Sequence, residues 1–244
     1  MKNRKSNKFS GSSRGRLEFE EVRESIKLIR GFVNAAQYKK AFAHAEKLNT
    51  TFPDNRFARY RYAVSLGDCR EWAPHTKVSI NEARAAKILQ SLLRRTSGIE
   101  EAWKNVWKNE YYWFSKQPKK QWNLGLSEVK KTGKGHYSMG VGAVSLSLNL
   151  YKKSKFRSAK AWARKAQLAW EDYFKYSPKY YNAHVWYAQS LGLQGDLKGM
   201  ERALKMAAKL SKRPLSYREF VDARKDVLAA LKKANPKVKS SSAE

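Results

Sequence analysis

The stretch from Val22 to Pro53 limits what this chain can fold into more than any other, because its apolar residues describe two helices folded against each other. Leu28, Ile29 and Phe32 put an apolar face on the first helix. Tyr38, Ala41, Ala45 and Leu48 put one on the second, at the i, i+3, i+4, i+7 spacing of a 3.6-residue period. Phe52 and Pro53 end the unit. Thirty-four residues on, Tyr62, Ala63 and Leu66 stand where Leu28, Ile29 and Phe32 stood, so the hairpin begins again and the chain reads as a helical repeat.

The residue types fit close packing between antiparallel helices. Ala41 and Ala45 leave room for the first helix to approach, while Phe32 and Tyr38 fill space near the turn. The spacing resembles the tetratricopeptide repeat, whose signature is W-x2-L-G-x2-Y, then A-x3-F, then P. Leu28, Phe32, Ala41 and Pro53 match it; Ser25, Ile29, Ala45 and Leu48 depart from it. The resemblance implies an all-α fold of antiparallel helical hairpins stacked as a right-handed solenoid with a C-terminal capping helix, over residues 17–231. It also implies a scaffold that holds a protein partner in a groove.

Read in order, the first helix spans Leu17–Val33, the second Gln37–Thr50, and Asp54 caps a third that ends near Gly67. Arg70 to Val78, with Trp72 and Pro74, reads as a longer loop. Ser79 with Glu82 and Ser97 with Glu100 read as capping boxes that start the fourth and fifth helices. The fifth carries an aromatic core stripe of Trp103, Trp107, Tyr111 and Phe114. Pro118 opens the sixth, with Trp122, Leu126 and Val129 as its buried stripe, and Thr132 to Gly135 is a turn.

The hairpin pattern returns with Leu146 and Leu150, then Phe156, Ala159, Ala163 and Ala166, on a helix that overruns by about two turns through Trp170, Tyr173 and Phe174. Ser177-Pro178 caps the next helix, which bears Tyr187, Ala188 and Leu191. The turn Gln194-Gly195-Asp196-Leu197 leads to Leu204 and Ala207. Ser216 with Glu219 reads as a third capping box, for an amphipathic last helix bearing Phe220, Val227 and Leu231, the natural cover for the end of an array. The total is about eleven helices, as five hairpins and a cap.

With 244 residues and 42% hydrophobic content, the chain can bury one elongated core. Its 51 basic and 21 acidic residues leave a formal charge of +30, a self-repulsion relieved by an anionic partner. Residues 1–16 hold six Lys or Arg and no acid, and read as a disordered basic arm; residues 232–244 read as a disordered tail. Cys69 is the one cysteine, which forbids an internal disulfide and points to an intracellular, cytoplasmic location. The longest mostly apolar run, Met139 to Leu150, falls short of the ~20 residues that a membrane helix needs, so a soluble protein is expected.

No arrangement for catalysis emerges. His44, His75, His136 and His184 fall in no ligand or base motif, and no paired-cysteine or nucleophile-elbow pattern occurs. Thr132-Gly133-Lys134-Gly135 lacks the upstream glycine and following hydroxyl of a phosphate loop. The reading is non-catalytic, with no cofactor and no metal.

Two surfaces remain. The tetratricopeptide resemblance puts the first helix of each hairpin on the groove, so Ile26, Tyr60, Val64, Val141, Val144, Leu148 and Val185 would face a protein partner there. Lys104, Asn105, Lys108 and Asn109 are similar to the carboxylate clamp of some family members, but no other hairpin repeats them. Spacing alone supplies the second surface. Lys153, Arg157, Lys160 and Arg164 fall on one helical face, and Lys198, Arg202, Lys205 and Lys209 repeat that spacing. Lys40 with Lys47, and Arg84, Lys87 and Arg94, sketch the same stripe earlier. The alternative function is therefore a dedicated RNA- or DNA-binding protein, with arm and stripes on phosphates and Tyr111, Tyr180 or Tyr181 stacking bases.

Overall fold

Apolar residues recurring at helical spacing produce helices throughout the residues that the computed structural model describes, 13–35, 37–68 and 78–235. In chain order they are α1 (Ser13–Asn34), α2 (Tyr38–Thr51), α3 (Arg56–Asp68), α4 (Val78–Leu93), α5 (Glu101–Phe114), α6 (Pro118–Thr132), α7 (His136–Lys152), α8 (Phe156–Phe174), α9 (Tyr181–Gly192), α10 (Leu197–Ser211) and α11 (Arg218–Ala234). No strand occurs among the described residues. The chain divides into two compact units, Met1–Ser115 and Lys116–Glu244. The loop read between α3 and α4, with Cys69 and His75, the first twelve residues and the tail from 236 lie outside the described residues.

In the first unit α1 packs on α2 and α3, α3 also on α2, α4 and α5, and α4 on α5. The first hairpin buries Val22, Ile29, Ala41, Ala45 and Leu48. Leu28, read as part of that face, is exposed; the face is set by Val22 and Ile29, two turns apart. α3 is capped one residue later than read: the Asn55 side-chain oxygen accepts from the amides of Phe57 (3.0 Å) and Ala58 (3.2 Å). The stripe on α5 is core. Trp107 and Phe114 are buried, Trp103 and Tyr111 pack beside them, and Phe57 meets Trp103 edge-on at 5.1 Å.

Two of the expected capping devices do not form: the Glu100 side chain makes no cap bond at the start of α5, and Tyr217 rather than Ser216 precedes α11. α4 begins one residue before Ser79. The Ser97 main-chain carbonyl accepts from Arg56 (2.7 Å), and the Glu219 side chain, expected in a cap, accepts from Asn182 (2.8 Å). Ser177-Pro178 belongs to a turn, and α9 starts at Tyr181. α1 begins at Ser13, so the last four residues read as arm are helical.

The second unit is built around α7, which packs on α6, α8, α9 and α11. Four neighbours require a helix with almost no side chain in the way, and Gly140-Val141-Gly142-Ala143-Val144 is buried all round. A methyl at Gly140 would fall on the Trp170 indole, and one at Gly142 would lie 2.8 Å from the Pro118 carbonyl and the Trp122 amide of α6. α6 accordingly turns Gln121 and Gly125 inward, while Trp122, Leu126 and Val129 are only half-buried, a correction to the expected stripe. α8 answers with Ala159, Ala163 and Ala166, all fully buried, and the Ser147 hydroxyl donates to the Ala159 carbonyl (2.8 Å).

α9 and α10 form the next hairpin. The Asp196 carboxylate caps α10 by accepting from the Gly199 amide (2.7 Å), so the Gln194 to Leu197 turn forms as read. α11 lays Phe220, Ala223, Val227 and Ala230 against α7 and α9. It is held by Arg224, whose guanidinium forks onto both oxygens of Glu201 on α10 (2.6 and 2.8 Å) and donates to the Leu215 carbonyl (3.2 Å).

Because α7 and α8 meet through small residues with no space to spare, Ala159→Leu or Gly142→Ala will each lower stability by about 1–3 kcal/mol. Denaturant melts of the two variants check this; an unchanged midpoint would mean that the contact yields.

Candidate functional site

Five of the seven residues assigned to a groove sit in the interior. In the second unit Val144 is 0% exposed, Val141 4% and Val185 5%; Leu148 is half-buried. In the first, Tyr60 and Val64 are buried and Ile26 is half-buried. The correction has a physical cause: α11 covers α7 and α9, and Trp103 and Trp107 of α5 pack onto Tyr60. What remains between α7 and α11 is a cavity of about 280 Å³ lined by Leu148, Tyr151, Lys152, Asp226, Ala229, Ala230 and Lys233. The Lys233 ammonium closes one side by donating to the Lys152 carbonyl.

Two of the four residues similar to a carboxylate clamp, Lys104 and Lys108, already hold a carboxylate. Glu101 pairs with Lys108 (3.3 Å) and Lys104 (3.7 Å), and Lys108 also donates to Asn105. The hydrogen bond and charge of Lys108 hold the Glu101 carboxyl below its ordinary range. A guest carboxylate would have to displace it.

The basic residues are where the sequence puts them, on the outside. Lys153, Arg157, Lys160, Arg164, Lys198, Arg202, Lys205 and Lys209 are all exposed, and among the described residues none has an acidic partner. On α8 the alanines point at α7 and the three cations from Arg157 to Arg164 point away, as a period of 3.6 dictates. Lys153 caps the end of α7 at the turn into α8. On α10, Met200, Ala203, Leu204 and Ala207 are buried, and all four cations face solvent. Both helices pack on α9. Lys40, Lys47, Arg84, Lys87 and Arg94 of the first unit are exposed as well.

The acids that could neutralise this face are committed elsewhere. Glu201, the sole acid of α10, is held by Arg224; Glu171 accepts from Gln167 (2.7 Å), and Asp172 pairs with Lys175 (2.6 Å). From Val129 to Trp170 the chain has ten Lys or Arg and no acid at all, a run that crosses α6, α7 and α8 and that spacing within single helices does not reveal.

Aromatic rings collect at two places. One is the end of the unit where α7 and α9 begin. Tyr137 meets Trp170 (5.4 Å), Tyr173 (5.7 Å) and Tyr180 (5.8 Å), and Arg213 lies over Tyr181 (5.1 Å) and Tyr217 (4.4 Å). Of the tyrosines expected to stack bases, Tyr180 is exposed, Tyr181 is half-buried beneath Arg213, and Tyr111 is packed in the first unit. The other place lies between α6 and α8, where Trp122 meets Trp162 edge-on at 5.2 Å and Lys119 and Lys165 sit over the Trp162 ring at 4.8 and 4.4 Å.

The described histidines pack against rings. His44 meets Phe32 at 5.1 Å, His136 meets Tyr176, and His184 stacks on Phe174 at 4.3 Å. The His184 Nε2–H donates to the Pro178 carbonyl (2.8 Å), and burial pushes its pKa down from the ordinary imidazole value of 6.5. Among the described residues no group of three His, Cys, Asp or Glu could hold a metal, and no helix is long and apolar enough to cross a membrane.

No family model matches the chain, and no curated protein matches it. Among solved structures it is similar to YrrB, described as a TPR protein with an unusual peptide-binding site, at 12% identity and a TM-score of 0.33, over 85% of this chain and 97% of that one. Likeness at that level says nothing of what this chain binds. Its own helices define the class: an all-α protein of repeated helical hairpins, the architecture that the tetratricopeptide resemblance implies.

Two measurements follow from these placements. Val144→Glu puts a carboxylate into a closed interior and will cost roughly 3 kcal/mol or more, unfolding the second unit rather than merely blocking a partner; circular dichroism distinguishes the two. His184 takes up its proton more readily once unfolded, so its contribution to stability is full above pH 6.5 and falls as the pH drops below that value. Denaturation midpoints of the parent and of His184→Gln between pH 7.5 and 5, a window set by the ordinary imidazole value of about 6.5, will show a shallower acid-side loss in the variant.

Proposed function

We propose that this chain is a non-catalytic binding protein whose accessible recognition surface is the basic outer face of α8 and α10, and that its partner is a polyanion, nucleic acid foremost. One observation carries the reading: the eight cations stand exposed and, among the described residues, none is ion-paired with an acid, while most of the groove residues are taken up by the chain's own packing. Charged outer faces are usual on helices, but they ordinarily mix signs. Here neutralisation is left to a partner, and the high net charge adds long-range attraction for it.

Capture of a protein segment in the groove is the second reading. The cavity between α7 and α11 favours it, since Leu148 borders a space that a side chain could enter. That mode requires α11 to yield its place on α7.

The salt dependence of binding tests the first reading. Changing Arg157, Arg164, Lys198 and Lys205 to Gln removes up to four phosphate contacts, so the slope of log affinity against log salt should flatten by up to about 3.6 on a duplex and about 2.8 on a single strand. Folding should survive, since exposed charges contribute little to stability. Fluorescence anisotropy across a salt series measures it; no binding by the parent, or an unchanged slope in the variant, would reduce the stripes to solvated faces.

A further inference from the structure

We infer that Trp162 is a stacking site for an unpaired nucleobase, so that the nucleic acid taken by the basic face is single-stranded; this rests on the polyanion reading above. The fold assembles the site from residues that are distant in sequence. Pro118 starts α6 against the bare backbone of Gly142 in α7, and the alanine face of α8 docks on the same helix. That brings Lys119 and Trp122 of α6 to Trp162 of α8.

Trp162 lies at one edge of the outer face of α8 and the cationic stripe at the other. At 100° per residue Arg157, Lys160 and Arg164 lean toward the side where Gln167 donates to Glu171 and accepts from Gln194 (3.0 Å) of the turn after α9. Trp162 leans the opposite way, toward α6, with Lys165 between. A strand crossing α8 therefore meets phosphate-binding cations first and an indole last. The acid-free run from Val129 to Trp170 covers the whole crossing, and α6 adds Lys119 and Lys120 on the far side, with no acid before Glu128.

The two lysines over the ring make the indole receptive. Trp162 is half-buried, fixed by the edge contact with Trp122, and its lysines are exposed. An exposed ammonium over an indole is a weak contact, weaker than a nucleobase on the same ring. A base that replaces one lysine on the ring frees that ammonium for the adjoining phosphate, so stacking and charge neutralisation occur in one step. A duplex offers no unpaired base to exchange, and would use the stripe alone.

Binding of an unstructured single-stranded RNA, a DNA of the same sequence and the RNA duplex, measured by anisotropy across one shared salt series, tests this with Trp162→Phe and Trp162→Leu. The leucine variant keeps apolar volume against Trp122 without an aromatic face, and a melting curve establishes that it is folded. The expected result is a loss of roughly 5- to 100-fold in affinity for both single strands in Trp162→Leu. Duplex affinity and the single-strand salt slope should be nearly unchanged, and Trp162→Phe should keep most of the affinity. Equal losses for single strand and duplex, or no loss, would overturn the stacking site while leaving the polyanion reading standing. Failure of the parent to bind any of the three would overturn both.

Discussion

Backbone-to-backbone approach through alanine and glycine is the constraint on which the second unit depends. α7 has neighbours on four sides only because Gly140, Gly142, Ala143 and Ser147 present so little bulk, and α8 matches them with a line of alanines. Large residues are displaced to the margins of these contacts, where Trp170 covers Gly140 and Trp122 and Trp162 close the edge between α6 and α8. Interiors packed at crystal density have no slack for an added methyl group, so the same contacts that fix the fold also fix where the surface cations and edge aromatics stand.

Charge is segregated as strictly as volume. Most acids near the second unit's surface bind structural partners: Glu201 to Arg224, Glu219 to Asn182, Glu101 in the first unit to Lys108. Each acid held by such a partner is one fewer counter-charge for the outer cations. The result is that Glu201 and Glu219 are held between helices while the cations of α8 and α10 stand on the outer faces.

The groove shows how a family resemblance and the chain's own packing can diverge. A tetratricopeptide-like array leaves the first helices of its hairpins open, and the residues read as groove-lining do lie on α1, α3, α7 and α9. Here α11 lies on α7 and α9, and the aromatic stripe of α5 closes on Tyr60. Valine at 144 and 185 then serves as core.

The sequence by itself determined the eleven helices, the small-residue contact positions Ala41, Ala159 and Ala207, the overrun of α8 and the outward direction of the two basic stripes. All of these follow from the 3.6-residue period, which is a local property. Cap assignments at Asp54, Ser97 and Ser216 missed, because capping depends on which side chain reaches the amides at a helix end: Asn55 rather than Asp54 does so at α3, and Glu219 is taken by Asn182 of α9. Only the tertiary structure decided that α11 packs on α7 and that Lys119 meets Trp162, 43 positions away. Such contacts join helices with another helix between them in the chain, and their register is set by turn geometry and side-chain volume, which no single helix's pattern records.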